Sequence, residues 1–328
     1  MSFISFYSYK GGSGRTTTTL NTLFYLIREK MPKPERPIII IDADTESYGM
    51  SMLLKDAEKS YSARKSLQGL AINAQQDTFV CNGDPENWKS YTNLHEYFVP
   101  VGHYFTKDIE NDAVLLLRSD VTPAEQELEF SKVFALNKND DGGKLNREKA
   151  NLCEALDVMY ACECIVVFDT PSGTQDMADL SLSKSGSIVC CMRPSVQFEL
   201  GTRACFEKLM QKWKRTKDEK YIIFCPSAVP FKDISIDSDV YPEHYKNTLF
   251  KRFREEMNAK ADDTHGVVNL LWDMQEGTVP GIPEVDRFKW RECCLGKIAS
   301  DKEDERLAKE KYGKLANLLS RLNDIKEY

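Results

Sequence analysis

Residues 2–19 read SFISFYSYKGGSGRTTTT, an apolar run followed by a glycine-rich turn and then by four threonines. The run Ser2–Ser8 predicts a buried β-strand, and the periodicity of Thr16–Lys30 predicts the helix that follows it. Glycines let backbone N–H groups curl around an anion, and the start of a helix directs further N–H groups and its positive dipole end to the same point. The stretch therefore predicts a phosphate-binding turn between a strand and a helix.

The turn differs from the common phosphate-loop pattern G-x-x-x-x-G-K-[ST] at two positions. Gly14 and Thr16 match the second glycine and the hydroxyl residue, whereas Tyr9 stands at the first glycine and Arg15 at the lysine. Arginine keeps the charge and binds phosphate as a planar fork, but it is bulkier than lysine. The hydroxyl of Thr16 can bind Mg²⁺. The alternative is a plain strand–helix turn without a ligand.

The four threonines carry a second signal, because β-branched residues are poor at starting a helix. Their presence there points to use of their hydroxyl groups, at least at Thr16 and Thr17. For Thr18 and Thr19 we expect a structural role.

Two further apolar runs end in aspartate. PIIIIDADT carries Asp42 and Asp44 two positions apart, so that both carboxylates point the same way, and CIVVFDTPSG carries Asp169 before a Pro/Ser/Gly turn. The carboxyl ends of strands line the ligand crevice of an α/β sheet, and a carboxylate there can hold Mg²⁺ directly or through water. Together with the turn they predict a nucleoside triphosphatase site. The alternative role for Asp42 and Asp44 is to cap the helix that follows.

Short apolar runs alternate with helical stretches along most of the chain. Strands are predicted at Ser2–Ser8, Pro37–Asp42, Ala113–Arg118, Cys164–Asp169, Ser187–Met192, Tyr221–Cys225 and Val267–Leu271. Helices are predicted at Thr16–Lys30, Pro123–Leu136, Arg147–Cys162, Phe198–Arg215 and Tyr245–Ala259. This alternation predicts the α/β class: a doubly wound, mostly parallel sheet with helices on both faces.

We expect one domain over residues 1–328, with a less regular inserted region at about 55–112 and a C-terminal helix at about 301–327. Ser300 and Glu303 form a capping-box signature at the start of that helix. One face of the helix is apolar, which predicts packing against the sheet, with binding of a partner as the alternative. That face carries Ala308, Tyr312, Leu315, Leu319 and Leu322.

The composition excludes several classes of protein. A net charge of −7 gives no global attraction to nucleic acid or anionic lipid. No window approaches 18 apolar residues, so a membrane-spanning helix is not expected, and the N-terminus lacks the features of a signal peptide. The ten cysteines are scattered, several of them inside apolar runs, and fit core positions in a reduced compartment. The expected location is cytoplasmic.

The motifs YKGGSGRT, DADT and VVFDTPSG together resemble those of the deviant Walker A ATPases, the ParA/MinD family, in the subgroup with arginine in the loop. The resemblance continues in SIVCCMRPSVQFELGTRACFEKL and GIPEVDRFKW, spans most of the chain and is weak across residues 55–150. It implies a P-loop NTPase fold, bound ATP and Mg²⁺, and a homodimer with ATP between the subunits.

The resemblance also implies roles for single residues. Lys10 and Asp44 are implied as catalytic, Lys10 by reaching the phosphates bound to the partner and Asp44 by positioning the attacking water. Mg²⁺ binding, partly through water, is implied for Thr16, Asp169 and Asp42. Nucleotide binding is implied for Lys10, Gly11, Gly12, Ser13, Gly14, Arg15, Thr16, Thr17, Pro283 and Glu284.

The leading function is a slow ATPase that acts as a nucleotide-dependent dimer switch of the partitioning or positioning type and works through a protein partner. One alternative, which Arg15 motivates, is a nucleotide-binding regulatory module with negligible hydrolysis. A metal or cluster carrier is a third class, disfavoured because Cys162, Cys164 and the Cys190-Cys191 pair lie in or beside predicted core strands. The basic stretch 208–220 allows non-specific DNA contacts, and its alternative is the solvated end of a helix.

Overall fold

The structure is a computed structural model that describes residues 2–30, 36–45, 47, 49–54, 65–74, 76–107, 109–119, 144–174, 176–193, 195–227, 250–272 and 309–323. Its strands are β1 (Ser2–Tyr7), β2 (Ile38–Asp42), β3 (Val99–Pro100), β4 (Val114–Leu117), β5 (Ile165–Asp169), β6 (Ser187–Met192), β7 (Lys220–Pro226) and β8 (Val268–Leu271). Each of the seven strands predicted from the sequence is present, and β3 is an addition.

The strands form one eight-stranded sheet in the order β3-β4-β2-β5-β1-β6-β7-β8. Every described pair of neighbouring strands is parallel except β3 with β4, which is antiparallel. The order places β1 in the interior of the sheet, with strands that come later in the chain on both sides. The expected α/β class and mostly parallel sheet are therefore confirmed.

The described α-helices are α1 (Arg15–Tyr25), α2 (Gly49–Leu53), α3 (Leu67–Asn73), α4 (Lys144–Ala161), α5 (Asp176–Lys184), α6 (Val196–Thr216), α7 (Lys251–Asp262) and α8 (Lys314–Leu322). A π-helical segment, Leu26–Lys30, extends α1, and another, Lys309–Gly313, precedes α8. Helices α2, α3 and α5 are additional to the prediction. The predicted helix Pro123–Leu136 and the first part of Tyr245–Ala259 lie outside the described residues.

Strand β2 shows why the sheet is covered on both faces. Ile38 and Ile40 belong to one apolar cluster, and Ile39 and Ile41 belong to another, because successive side chains of a strand point to opposite faces. The first cluster includes residues of α1 and α8, and the second includes residues of α3 and α4. A third cluster joins β6 and β7 to α5, α6 and α7. Helices on both faces are thus confirmed.

The segment at residues 309–323 packs on the first of these clusters. Tyr312, Leu315 and Leu319 are buried there beside α1, and Leu322 is partly buried. The interpretation of this apolar face as a packing face is confirmed for its described residues. Ala308 and the capping-box pair lie outside the described residues.

The described part of the 55–112 region contains little regular structure. It consists of α3, short 3₁₀ turns and the two-residue strand β3. Helix α3 begins after Ser66, whose side chain accepts a hydrogen bond from the N–H of Gly69 at 2.9 Å. That this region is an insertion into a single domain stays a prediction.

Candidate functional site

The sheet order brings three predicted segments together at one edge. Strand β5 lies between β1 and β2, and in register Asp169 is the partner of Phe6 on one side and of Asp42 on the other. All three strands are parallel, so their carboxyl ends meet at the same edge. The glycine-rich turn that follows β1 and both acidic strand ends therefore occupy one place, where α/β sheets bind ligands.

The glycine-rich turn has a backbone that glycine favours. Gly12 and Gly14 have φ angles of 75° and 73°, in the left-handed region, and Gly14 immediately precedes α1. A Cβ added at Gly11, Gly12 or Gly14 would meet no atom within 4 Å. The turn thus has open space beside it and the N-terminus of an 11-residue helix at its end, as a phosphate-binding turn requires.

Neighbouring elements hold the turn in place. The hydroxyl of Tyr7 donates to the carbonyl of Gly173 at 2.9 Å, and the N–H of Gly173 donates to the carbonyl of Ser8 at 3.1 Å. The ring of Tyr9 packs so closely on Gly201 of α6 that a Cβ there would lie 2.0 Å from a ring carbon. The turn is therefore coupled both to the loop after β5 and to α6.

Arg15 lies buried beneath the turn, with 7% of its surface exposed. Its Nε donates to Oδ1 of Asp169 at 3.0 Å, its Nη1 donates to the hydroxyl of Ser8 at 3.0 Å, and its Nη2 donates to Oδ2 of Asp44. Burial disfavours the charged form, but the two carboxylates outweigh that effect and raise the pKa of Arg15. The side chain predicted to bind phosphate thus binds the two acidic strand ends in this structure.

Thr16 contacts the same carboxylate. Its hydroxyl donates to Oδ2 of Asp169 at 2.6 Å, so both oxygens of this fully buried carboxylate are engaged. Burial raises the pKa of Asp169, and Arg15 and Thr16 oppose that shift. The hydroxyls of Thr18 and Thr19 donate to the carbonyls of Gly14 and Arg15 at 2.8 and 3.0 Å, as the expected structural role requires.

Asp42 is fully buried, and its two carboxylate oxygens differ in their hydrogen bonding. Its Oδ2 accepts hydrogen bonds from the N–H of Ser51 at 2.8 Å and from the Ser51 hydroxyl at 2.5 Å. Its Oδ1 has no hydrogen-bond partner among the described residues. Burial, and then the charge of Asp169, raise the pKa of Asp42 to about 7. The alternative role as a helix cap therefore also fits Asp42, since Ser51 lies in the first turn of α2.

These residues fit Mg²⁺ and a nucleotide phosphate. Thr16 and Asp169 offer oxygen ligands in contact with each other, which is the donor type that Mg²⁺ takes. The guanidinium of Arg15 already stands as a cation between two carboxylates. Within the described part of the chain, no three His, Cys, Asp or Glu side chains are placed to hold a metal ion by themselves. A bound Mg²⁺ would therefore depend on Thr16, on water and on the phosphates for its other ligands.

The remaining residues predicted to bind nucleotide are defined by fewer contacts. Lys10 is partly buried in the turn, and Ser13 is buried with a hydroxyl that has no hydrogen-bond partner among the described residues. Thr17 is partly exposed in the first turn of α1. Pro283 and Glu284 lie outside the described residues. Their roles in nucleotide binding stay predictions.

For one lysine of the basic stretch 208–220, the expectation of a solvated or DNA-binding side chain is wrong. Lys220 is 4% exposed, and its Nζ donates to the carbonyls of Ser183 and Ser185 at 2.8 and 2.7 Å, so it is not a surface cation. Lys212 is exposed but pairs with Asp179 at 3.0 Å. The expected core cysteines are confirmed, because Cys164 and the pair at 190–191 are buried as free thiols.

Sequence reasoning missed three contributions to the site. Ser8 accepts a bond from Arg15, Ser51 binds Asp42, and Gly201 makes room for Tyr9. Ser8 follows the last residue of β1, directly before the turn, and that position was an available signal. Nothing in the sequence pairs Ser51 with Asp42 or Gly201 with Tyr9, because these contacts depend on how α2 and α6 pack.

The parallel sheet, the glycine turn after an interior strand and the helix that begins within that turn define an α/β P-loop fold. Solved structures with this fold resemble the chain over nearly its whole length. An ATP-bound variant of Cyanothece McdA has a TM-score of 0.57 at 13% identity, covering 100% of this chain and 98% of that one. A Borrelia burgdorferi protein assigned to plasmid partition, bound to AMPPNP, has a TM-score of 0.53 at 13% identity, covering 96% and 99%.

A chain of the MinC:MinD cell division complex of Aquifex aeolicus has a TM-score of 0.50 at 12% identity, covering 97% of this chain and 96% of that one. At these identities the likeness establishes the fold alone. No protein-family model matches the sequence, and a search of curated proteins found no match. Among the described helices, none combines the length and the apolar character needed to cross a membrane.

Proposed function

We propose that this chain is a P-loop ATPase of the ParA/MinD type, which binds MgATP, hydrolyses it slowly and acts as a nucleotide-dependent dimer switch. The observation that carries the proposal is the contact of Thr16 with Asp169 at 2.6 Å, directly beside an open glycine turn and the N-terminus of α1. The nucleotides bound by the similar solved structures, ATP in McdA and AMPPNP in the Borrelia protein, support the same ligand class.

In this proposal the turn residues Gly11, Gly12, Ser13 and Gly14 bind the phosphates through their N–H groups, and Thr17 adds a contact to the α-phosphate. Thr16 and Asp169 would hold Mg²⁺, and Asp42 would contribute partly through water. When bound, Mg²⁺ neutralises charge on the phosphates. Asp44 orients the attacking water. Pro283 and Glu284, which lie outside the described residues, are proposed to contact the base.

Slow turnover follows from the position of Arg15. The side chain engages Asp44 and Asp169 at the same time, although the first must orient water and the second must hold the metal ion. Charge-assisted contacts in a buried site are strong, so their release adds to the barrier of each cycle. Arginine in place of the loop lysine therefore permits nucleotide binding and slows hydrolysis.

We propose that two copies of the chain dimerise through the edge of the sheet that carries the glycine-rich turn. Lys10, at the front of the turn, reaches the phosphates of a second copy across the bound nucleotide. Val196 and Leu200, one turn apart on α6, are 52% and 51% exposed, and Leu200 precedes the glycine on which Tyr9 packs. Two exposed apolar side chains on the helix that packs on Tyr9 suit a surface that closes against another copy. The output passes through a protein partner of unidentified type.

Non-specific DNA binding is a secondary part of the proposal. The exposed cations of this stretch are Lys208, Lys212, Lys214, Arg215 and Lys217. Of these, Lys212 is paired with Asp179, and Lys220 is buried. Because such contacts neutralise phosphates, retention of DNA should fall steeply with salt. Reversal of charge at Lys214 and Arg215 together should abolish that retention.

The test is a titration of the full chain with MgATP, in which fluorescence of an ATP analogue reports binding and light scattering reports mass. We expect saturable binding together with a doubling of mass, and Lys10→Ala should bind nucleotide but remain a monomer. Lys208→Ala, at an exposed lysine far along α6, is the control and should dimerise. No binding by the wild type, or binding without any change in mass, would contradict the proposal.

A further inference from the structure

The strongest unexplained feature of the site is its excess of buried negative charge. Asp42 and Asp169 are fully buried and Asp44 is 8% exposed, and all three stand at the ends of neighbouring strands. Arg15 is the cation that the structure places in contact with two of them. Buried carboxylates without a counter-charge are costly, so a cation in contact with Asp44 and Asp169 stabilises the folded chain.

The contacts of Arg15 use the atoms that a metal ion would need. Its Nε binds Oδ1 of Asp169, so a cation already stands at the carboxylate whose Oδ2 accepts the Thr16 hydroxyl. Its Nη2 binds Asp44, and the hydroxyl of Ser8 accepts from Nη1 and fixes the plane of the guanidinium. The side chain is thus held by three acceptors from three different elements.

A phosphate offers the guanidinium another partner. The turn directs N–H groups and the helix N-terminus to one point, and an anion bound there lies beside the residue that begins α1, which is Arg15. Arginine binds phosphate and carboxylate with the same planar fork. Arrival of a nucleotide can therefore move Arg15 from the carboxylates to the phosphate, and this exchange frees the carboxylates for a metal ion.

We propose that Arg15 is a resident counter-ion that occupies the divalent-cation position in the nucleotide-free protein and excludes Mg²⁺ until a nucleotide phosphate draws the side chain away. The inference rests on the proposed function, because it assigns regulation to the same site. It differs from that function in its consequence, since it concerns metal binding without nucleotide. The nucleotide and the metal ion then bind in a coupled manner, and the free protein has little affinity for the metal ion alone.

A property of Asp42 also supports the coupling between nucleotide binding and metal binding. Its Oδ1 lacks a hydrogen-bond partner among the described residues, although the atom is buried and next to Asp169 in register. An oxygen in that condition gains from an approaching cation. Removal of the Arg15 charge therefore leaves Asp169 and Asp44 without their counter-ion, and a divalent ion that takes its other ligands from Thr16 and water can neutralise them.

The test uses Mn²⁺ alone with the nucleotide-free full chain, measured by loss of the free-ion electron paramagnetic resonance signal and by calorimetry. The variants are Arg15→Gln, which removes the charge, and Arg15→Lys, which keeps a charge but lacks the fork. The matched control is Arg203→Gln, which also removes one arginine charge but breaks the Arg203–Glu256 ion pair between α6 and α7. Thermal unfolding confirms that each variant is folded.

We expect weak Mn²⁺ binding by the wild type and by Arg203→Gln. Arg15→Gln should bind Mn²⁺ at a single site with an affinity about tenfold higher or more, because the ion no longer competes with a charge-assisted contact. Arg15→Lys should lie between them. Addition of Asp169→Asn to Arg15→Gln should remove the new site. If Arg15→Gln is unfolded, Arg15→Lys alone decides, and Mn²⁺ binding no tighter than that of the wild type overturns the proposal.

Equal Mn²⁺ affinity in the wild type and in the folded Arg15→Gln variant would also overturn it. Strong Mn²⁺ binding by the nucleotide-free wild type would do the same. Failure of the proposed function has a different signature, because it is read from binding of the ATP analogue by the wild type. The two outcomes are therefore separable in the same preparation.

Discussion

Replacement of Asp42 by asparagine tests the electrostatics of the site in the absence of any ligand. The carboxylate is fully buried, one of its oxygens accepts two bonds from Ser51, and its pKa is raised from 3.8 to about 7. A difference of that size corresponds to about 4 kcal/mol between the two protonation states. Asparagine has the same shape, can accept the bonds from Ser51 and cannot become charged.

The direction of the pH dependence follows from proton binding. Between about pH 4 and pH 7 the folded protein retains the proton on Asp42 and the unfolded chain has lost it. The contribution of Asp42 to stability is therefore fully present below pH 4 and is lost as the pH rises through 7. In Asp42→Asn this loss cannot occur, so its free energy of unfolding relative to the wild type should rise by up to about 4 kcal/mol over that range.

The assay is urea unfolding at a series of pH values in metal-free buffer with a chelator, since a bound cation would hide the effect. Asp157→Asn is the control, because that carboxylate is 66% exposed and pairs with Lys184 on the surface. The control should follow the wild type at every pH. Parallel curves for Asp42→Asn and the wild type between pH 4 and pH 8 would show that Asp42 is not held in a buried, charge-disfavouring place, and would refute the reasoning.

Two further predictions concern packing. Gly201→Ala places a Cβ 2.0 Å from the ring of Tyr9, so we expect a loss of about 1–3 kcal/mol in urea unfolding and weaker nucleotide binding, whereas Gly186→Ala, where an added Cβ meets nothing within 4 Å, should change neither. Unchanged affinity and stability in Gly201→Ala would contradict the contact. Leu319→Ala removes a side chain that is 1% exposed in α8, so it should lower the free energy of unfolding by about 2–5 kcal/mol. Asn317→Ala, at an exposed position of the same helix, should cause no loss. Equal stability of the two variants would argue that this face is not packed.

The strands of this sheet could be predicted because their sequences carry the signal locally. The run Ile38–Asp42 is continuous and apolar, as a strand covered on both faces requires, and its acidic end marks the ligand edge. Strand β3 has only two residues, one of them a proline, and α2 has five, so neither shows a period. Elements of that length are stabilised by neighbours, which a local pattern cannot contain.

The same limit applies within the site. The residue types of the turn and of the acidic strand ends predict what they bind, but not which partner each holds without a ligand. Arg15 meets Asp44 and Asp169 across 29 and 154 residues of sequence, and only the strand order brings them together. The sequence suggested that Lys220 belongs to a solvated basic cluster. Its Nζ instead donates to the carbonyls of Ser183 and Ser185, which only the packing of α5 brings within reach.

The central claim is that this site hydrolyses ATP, and release of inorganic phosphate from MgATP by the full chain tests it most directly. We predict slow release by the wild type that saturates with nucleotide and stops in Asp44→Asn, while that variant still binds the ATP analogue. No release by the wild type, or release at the same rate by Asp44→Asn, would contradict the claim.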